Sequence, residues 1–99
     1  MSAKALAGQV ALVTGAGRRL GQAIALALAR AGARVAVGYH TSEAGARDTV
    51  RQIEECGGQA VAIKADVSRP DEIKRLVAAA EERLGAPDIL VNNAGIFER

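Results

Sequence analysis

Four short stretches in this 99-residue chain hold the residue types that can do chemistry. The first is Thr14-Gly15-Ala16-Gly17-Arg18-Arg19-Leu20-Gly21, between the apolar run Val10-Ala11-Leu12-Val13 and a helical pattern at Leu20, Ile24, Ala27, Leu28 and Ala31. A buried strand, a glycine-rich turn and a helix start, in that order, make an anion site. The first N–H groups of a helix have no internal partners and point at an incoming anion. Glycines let the backbone turn sharply and come close to the ligand. The other stretches are Tyr39-His40-Thr41-Ser42, Asp66-Val67 and Asn92-Asn93-Ala94-Gly95, each directly after an apolar run. Any one of the four is compatible with an ordinary loop, and the glycines with a tight turn alone. All four on one edge of a sheet would make a cleft for an extended nucleotide.

The elements that must position them follow from periodicity. Val10 to Thr14 reads as a strand, and Leu20 to about Arg30 as a helix stopped by Gly32. Val35 to Tyr39 reads as a second strand. Ala46, Val50 and Ile53 recur at helical spacing until Gly57-Gly58. Ala60 to Ala65 reads as a third strand. Ser68-Arg69-Pro70-Asp71 has the form of a capping box, with Ser68 as N-cap. Ile73, Leu76, Val77, Ala80 and Leu84 then form the stripe of a third helix that Gly85 stops, and Ile89-Leu90-Val91 is a fourth strand. The order βαβαβαβ implies an α/β fold: a Rossmann-type, doubly wound parallel sheet with right-handed crossovers and helices on both faces. The strands are near-continuous apolar runs, as doubly covered strands must be. The whole chain, 1–99, is expected to form one partial dinucleotide-binding domain that breaks off after the fourth strand. In such a sheet, ligands bind beyond the carboxyl ends of the strands, where strand order reverses. All four stretches lie at carboxyl ends.

Composition narrows the function classes. Apolar residues are 49% of the chain and aromatics 2%, so Ala, Val, Leu and Ile must fill a globular core. Thirteen basic and eleven acidic residues are mixed along the chain, without a basic block or interleaved aromatics, which argues against nucleic acid as a partner. Cys56 is the only cysteine, so no internal disulfide forms, and neither it nor His40 has metal-ligand companions. Met1-Ser2-Ala3-Lys4 is followed by no long apolar stretch, so no signal peptide is expected, and no segment approaches the roughly 18 apolar residues of a membrane span. Together these features imply a cytoplasmic protein with a reduced thiol. Glu43, Arg47, Arg51, Glu54 and Glu55 read as a solvated helix face.

With these residues in place, the chain resembles the N-terminal part of the short-chain dehydrogenase/reductase family, over essentially its whole length. The family pattern is Thr-Gly, three residues, Gly, one residue, Gly, and later Asn-Asn-Ala-Gly. Thr14, Gly15 and Gly21 match the first element, and Asn92, Asn93, Ala94 and Gly95 match the second. Arg19 stands where the family has its middle glycine. The turn is similar to that of the pteridine reductase-like branch, where a basic pair precedes Leu-Gly, whereas Gly95 leans toward the 3-oxoacyl-ACP reductase-like branch. By this resemblance Arg19 contacts the cofactor pyrophosphate and Arg18 lies toward the adenosine ribose. Asp66 meets the adenine amino group with Val67 contributing backbone, and Ala94-Gly95 let the cofactor pass close to the chain. Asn92 and Asn93 are expected to act as turn-stabilising amides rather than catalysts. Two arginines at a helix start oppose the dipole by a few tenths to about 1 kcal/mol each, which an anion would offset.

The second strand bears on cofactor choice. NAD-selective sites place an acidic residue about 20 residues after the glycine turn, on the ribose 2′-hydroxyl. Here Tyr39 holds that place, followed by His40, Thr41 and Ser42, of which Thr41 and Ser42 also suit helix capping. No carboxylate is present to repel a 2′-phosphate, and Arg18, His40, Thr41 and Ser42 offer donors. NADP (as NADPH) is therefore expected over NAD. The resemblance implies hydride transfer between NADPH and a carbonyl or imine of a small-molecule substrate. It also implies a homo-oligomer for the full-length protein. The family's proton donor is a tyrosine with a lysine four residues later. The single tyrosine here, Tyr39, is followed four residues later by Glu43, so no catalytic residue is assigned within the 99 residues. The pair is expected beyond Arg99, in a part that also holds the substrate. The alternative is a non-catalytic nucleotide-binding or interaction module.

Overall fold

The computed structural model describes residues 4–16 and 19–93. Four strands and three helices alternate: β1 (Val10–Thr14), α1 (Arg19–Arg30), β2 (Arg34–Tyr39), α2 (Glu43–Glu55), β3 (Ala60–Lys64), α3 (Pro70–Leu84) and β4 (Ile89–Asn92). The strands form one parallel sheet in the order β3-β2-β1-β4. The chain moves outward from β1 to β3, then returns to place β4 on the other side of β1. Strand order therefore reverses between β1 and β4, and the switch point lies at their carboxyl ends.

Alternation along β1 separates two apolar layers. Ala11 and Val13 join Val35, Val37, Ala25, Ala29, Ala46 and Ile53 on the face covered by α1 and α2. Val10 and Leu12 join Ala36, Ile63, Leu76, Ala80 and Leu84 on the face covered by α3. All five β1 residues are buried, because helices cover both sides. Alanine and valine dominate the α1/α2 layer, whereas Leu12, Ile63, Leu76 and Leu84 fill much of the α3 layer. Asp88 ties the entry of β4 to the start of β1: its Oδ2 accepts from Val10 N–H at 2.9 Å, and its N–H donates to Val10 O at 2.8 Å. β3 and β4 are the two edges. On the α3 face Leu90, in register with Leu12, is 63% exposed.

The expected cap at the third helix does not form. Arg69, not Ser68, is the N-cap of α3, it makes no side-chain cap bond, and Pro70 occupies the first turn. The Ser68 hydroxyl is taken instead by Asp66 Oδ1 at 2.6 Å. A local bond to the aspartate two residues back competes with capping and wins here. Asp71 pairs with Arg69 at 3.5 Å rather than reaching back to Ser68. Ser42 does occupy the N-cap of α2, but its side chain makes no cap hydrogen bond.

Candidate cofactor site

The glycine turn leaves β1 at the switch point. Gly15 has φ +72°, a left-handed conformation that a side chain would strain. Its N–H donates to Gly38 O at 3.0 Å, and Ala16 N–H reaches the same oxygen at 3.4 Å, so the turn is pinned to the end of β2. The helix start is packed directly against this turn. A Cβ on Gly21 would lie 2.1 Å from Gly15 O and 2.9 Å from Ala16 Cα, so only glycine permits this approach. The first turn of α1 carries no acidic residue. Arg19 is exposed there, with no carboxylate paired to it among the described residues. Among the described residues, the positive end of the α1 dipole is thus left without a protein anion.

The other side of the switch point is built by Thr14, Asn92 and Asn93. The Thr14 hydroxyl lies 3.0 Å from Asn92 Oδ1 and 3.4 Å from Val91 O, joining the ends of β1 and β4. Asn93 is buried, and its Oδ1 has no hydrogen-bond partner among the described residues. An orphaned buried acceptor costs roughly 1–3 kcal/mol.

At the end of β2, Tyr39 is half-buried against the core under α1 and α2, and its carbonyl accepts from Ala65 N–H at 2.7 Å. His40 and Thr41 are exposed and Ser42 half-buried. His40 Nε2 lies 4.0 Å from Asp66 Oδ2, so the ends of β2 and β3 meet across a histidine and a carboxylate. Asp66 is held by its neighbours. Its Oδ1 accepts from the Ser68 hydroxyl and from Ser68 N–H at 3.1 Å, and these bonds, above all the hydroxyl's, keep its carboxyl below the usual carboxylate range. Asp66 N–H donates to Glu72 Oε1 at 3.2 Å. The Glu72 carboxyl is pulled down to about 2, first by hydrogen bonds from Arg75 and then by the Asp66 N–H. Arg75 also donates to Lys64 O, completing a clamp between α3 and the end of β3. Val67 points its side chain into the α3 core, which leaves its backbone for a ligand. A groove of about 560 Å³ runs from His40 and Asp66 down the edge between β3 and α3. Its lining mixes Lys64, Arg75 and Arg83 with Glu72 and Glu82, so it does not single out an anion.

The structure therefore brings Gly15, Arg19, Leu20, Gly21, His40, Thr41, Ser42, Asp66 and Asn93 to the carboxyl edge of one parallel sheet. Tyr39 reaches that edge but spends part of its ring on core packing. Gly17, Arg18, Ala94 and Gly95 lie outside the described residues. Three positions escaped the sequence reading: Gln22, Asp48 and Thr49, which link α1 and α2 to the turn. Glu72 and Arg75 were missed too. The signal for Thr49 was a polar residue within the buried stripe Ala46, Thr49, Ile53. Nothing local distinguished Glu72 or Arg75 from ordinary helix-surface charges.

The family model of short chain dehydrogenases matches residues 9–99. The chain belongs to the short-chain dehydrogenase family. An uncharacterized oxidoreductase of Methylorubrum extorquens is 50% identical over 93 residues, 94% of this chain and 38% of that protein. A hydroxynaphthalene reductase-like protein of Metarhizium guizhouense is 48% identical over 92 residues, 93% of this chain and 34% of that protein. Among solved structures, a dehydrogenase/reductase from Sinorhizobium meliloti superimposes with a TM-score of 0.90 at 46% identity, covering 95% of this chain and 37% of that one. A short chain dehydrogenase from Burkholderia cenocepacia, solved with NADP, gives 0.87 at 47% identity, covering 94% and 38%. The chain thus spans little more than a third of the length of the family members it matches. The residues at the switch point fit the dinucleotide of this family. A glycine cradle that a Cβ would fill and a helix start without acidic residues lie at the same edge, next to Asn93 with its orphaned amide oxygen.

Proposed function

We propose that this chain is the NADPH-binding part of a short-chain oxidoreductase that transfers hydride between NADPH and a carbonyl or imine. Bound NADPH supplies the hydride. The chain's own residues bind and orient it. The glycine turn and the start of α1 receive the pyrophosphate, with the Arg19 guanidinium as a second donor to it. Arg18, His40, Thr41 and Ser42 receive the 2′-phosphate. The Ser42 hydroxyl is unused by its helix and so is available for that bond. Asp66, held ionised and in place by Ser68, accepts from the adenine amino group, while the Val67 backbone lies alongside. Asn93, Ala94 and Gly95 line the passage toward the nicotinamide.

Proton transfer is assigned elsewhere. Tyr39 is four residues from Glu43 rather than from a lysine, and it sits at the ribose end of the site. The tyrosine and lysine of the reaction, the substrate pocket and the contacts between subunits belong to the remaining length that family members have.

The observation that carries the NADP assignment is that β2 ends at Tyr39 and runs on into His40-Thr41-Ser42, a segment that itself holds no carboxylate to accept a ribose 2′-hydroxyl or repel a 2′-phosphate. Calorimetric titration with NADPH and NADH tests it. NADPH should bind more tightly. Arg18→Ala should weaken NADPH by roughly 1.5–3 kcal/mol, the scale of a charge-assisted hydrogen bond, and leave NADH nearly unchanged. Equal or tighter binding of NADH would overturn the assignment.

A further inference from the structure

Thr49 lies in the middle of α2, yet its side chain touches the glycine turn that follows β1. It is fully buried. Its hydroxyl oxygen is 2.8 Å from Ala16 O, across 33 residues of sequence, and 2.8 Å from Gly45 O one helical turn back. The same oxygen accepts from the Gln22 side-chain amide at 2.9 Å. Gln22, from the first turns of α1, donates also to Asp48 Oδ2 at 3.2 Å, and Gln52 donates to that oxygen at 2.7 Å. Arg51 pairs with the other Asp48 oxygen. These bonds, led by that from Gln52, hold the Asp48 carboxyl below its ordinary range. A continuous polar chain thus runs from a charged pair on the surface of α2, through the α1 amide, to the carbonyl of Ala16.

Packing alone does not account for a threonine here. The stripe it completes is otherwise Ala46 and Ile53, and valine has nearly the same shape. The hydroxyl would also be satisfied by Gly45 O alone, the usual recourse of a helical threonine. What the hydroxyl adds is a hold on the Ala16 carbonyl, one residue after Gly15 with its left-handed φ and just ahead of α1. A carbonyl oxygen carries partial negative charge. Committed to Thr49, it is not free to turn toward the α1 N-terminus, where it would oppose an anion and compete for the helix N–H groups.

We propose that Thr49, steadied by Gln22 and Asp48, is a positioning residue that holds the glycine turn in the form that receives the cofactor pyrophosphate. The inference rests on the NADPH reading above. It predicts a loss confined to ligands that carry a pyrophosphate. Two probes separate the ends of the site: NADPH, which has the pyrophosphate, and 2′-AMP, which has adenine, ribose and 2′-phosphate but no pyrophosphate. Titration of both into the protein and into Thr49→Val should show NADPH weakened about tenfold, the scale of one lost buried hydrogen bond, with 2′-AMP changed less than about twofold. Thr49→Ser, which keeps the hydroxyl, should restore NADPH affinity. If the valine variant does not fold, Thr49→Ala and Thr49→Ser carry the same comparison, since they differ by the hydroxyl alone. Unchanged NADPH affinity in the variant without a hydroxyl overturns the inference. So does an equal loss for both ligands, which would mark Thr49 as a packing residue only. If the unaltered protein binds neither probe, the NADPH reading itself has failed, and the inference falls with it.

Discussion

Gly21→Ala should be among the most damaging single-methyl additions in the chain, and its cost can be worked from the contact it creates. The new Cβ would sit 2.1 Å from Gly15 O, 2.7 Å from Gly15 C and 2.9 Å from Ala16 Cα, while real Cβ atoms essentially never approach within 3.0 Å. All three neighbours are backbone atoms, so no side chain can swing aside. The start of α1 must move off the turn by about 1 Å, and the turn is itself pinned to Gly38 O. Overpacking a rigid site costs roughly 1–3 kcal/mol, and a backbone-to-backbone clash belongs at the upper end. Alanine recovers about 0.5–1 kcal/mol of helix propensity. The net is about 2 kcal/mol, which for a domain of this size lowers Tm by roughly 8–16 °C. The displacement also falls on the turn proposed to receive the pyrophosphate, so NADPH affinity should drop at least about tenfold. Gly57→Ala serves as the control. Gly57 also has a positive φ, +86°, but nothing lies within 4 Å of its added Cβ. It should cost only the conformational strain, about 1–2 kcal/mol, and leave cofactor binding unchanged. Thermal unfolding and calorimetric titration of the two variants make the comparison. A Gly21→Ala protein with wild-type Tm and NADPH affinity would refute the view that close approach, rather than turn conformation, is what this glycine provides.

Three further outcomes follow from the same geometry. β4 is an edge strand with Leu90 63% exposed, so the 99-residue chain should self-associate, and Leu90→Lys should shift it toward monomer in sedimentation; a compact monomer at high concentration without the substitution would contradict this. The Glu72 carboxyl is lowered from 4.5 to about 2 in the folded chain, so the clamp on Asp66 contributes fully above pH 4.5 and is lost as pH falls through 2. Urea unfolding from pH 7 to 2 should therefore show the stability gap between the wild type and Glu72→Gln closing over that window, and a gap independent of pH would count against the clamp. The purified 99-residue chain should transfer no hydride to carbonyl or pterin substrates, because Tyr39 lacks a lysine four residues on; turnover free of host reductases would mean the site is misread.

The order of elements was legible in the sequence because both signals it rests on are local. Strands covered on both faces, as β1 and β2 are, must be apolar throughout, and even the edge strands Ala60–Lys64 and Ile89–Asn92 are short apolar runs that stand out against the helical spacing between them. Parallel pairing, the switch point beside β1 and the collection of Gly15, His40, Asp66 and Asn93 on one edge then follow from connection rules with few alternatives. Where local signals compete, sequence reasoning failed. Ser68 has the spacing of an N-cap, yet Asp66 is nearer and takes its hydroxyl, and which bond wins depends on the backbone path into Pro70.

Other features belong to the tertiary structure alone, because they join groups whose separation in sequence carries no pattern. Thr49 meets Ala16 only because α1 and α2 cover the same face of the sheet. Glu72 meets the Asp66 N–H only because α3 starts beside the end of β3. The chain's residue types declared a strand, a glycine turn and a helix start. The close approach of Gly21 to the Gly15 carbonyl is built within that same segment, whereas the Thr49 hydroxyl reaches Ala16 O only once α1 and α2 have packed on one face of the sheet.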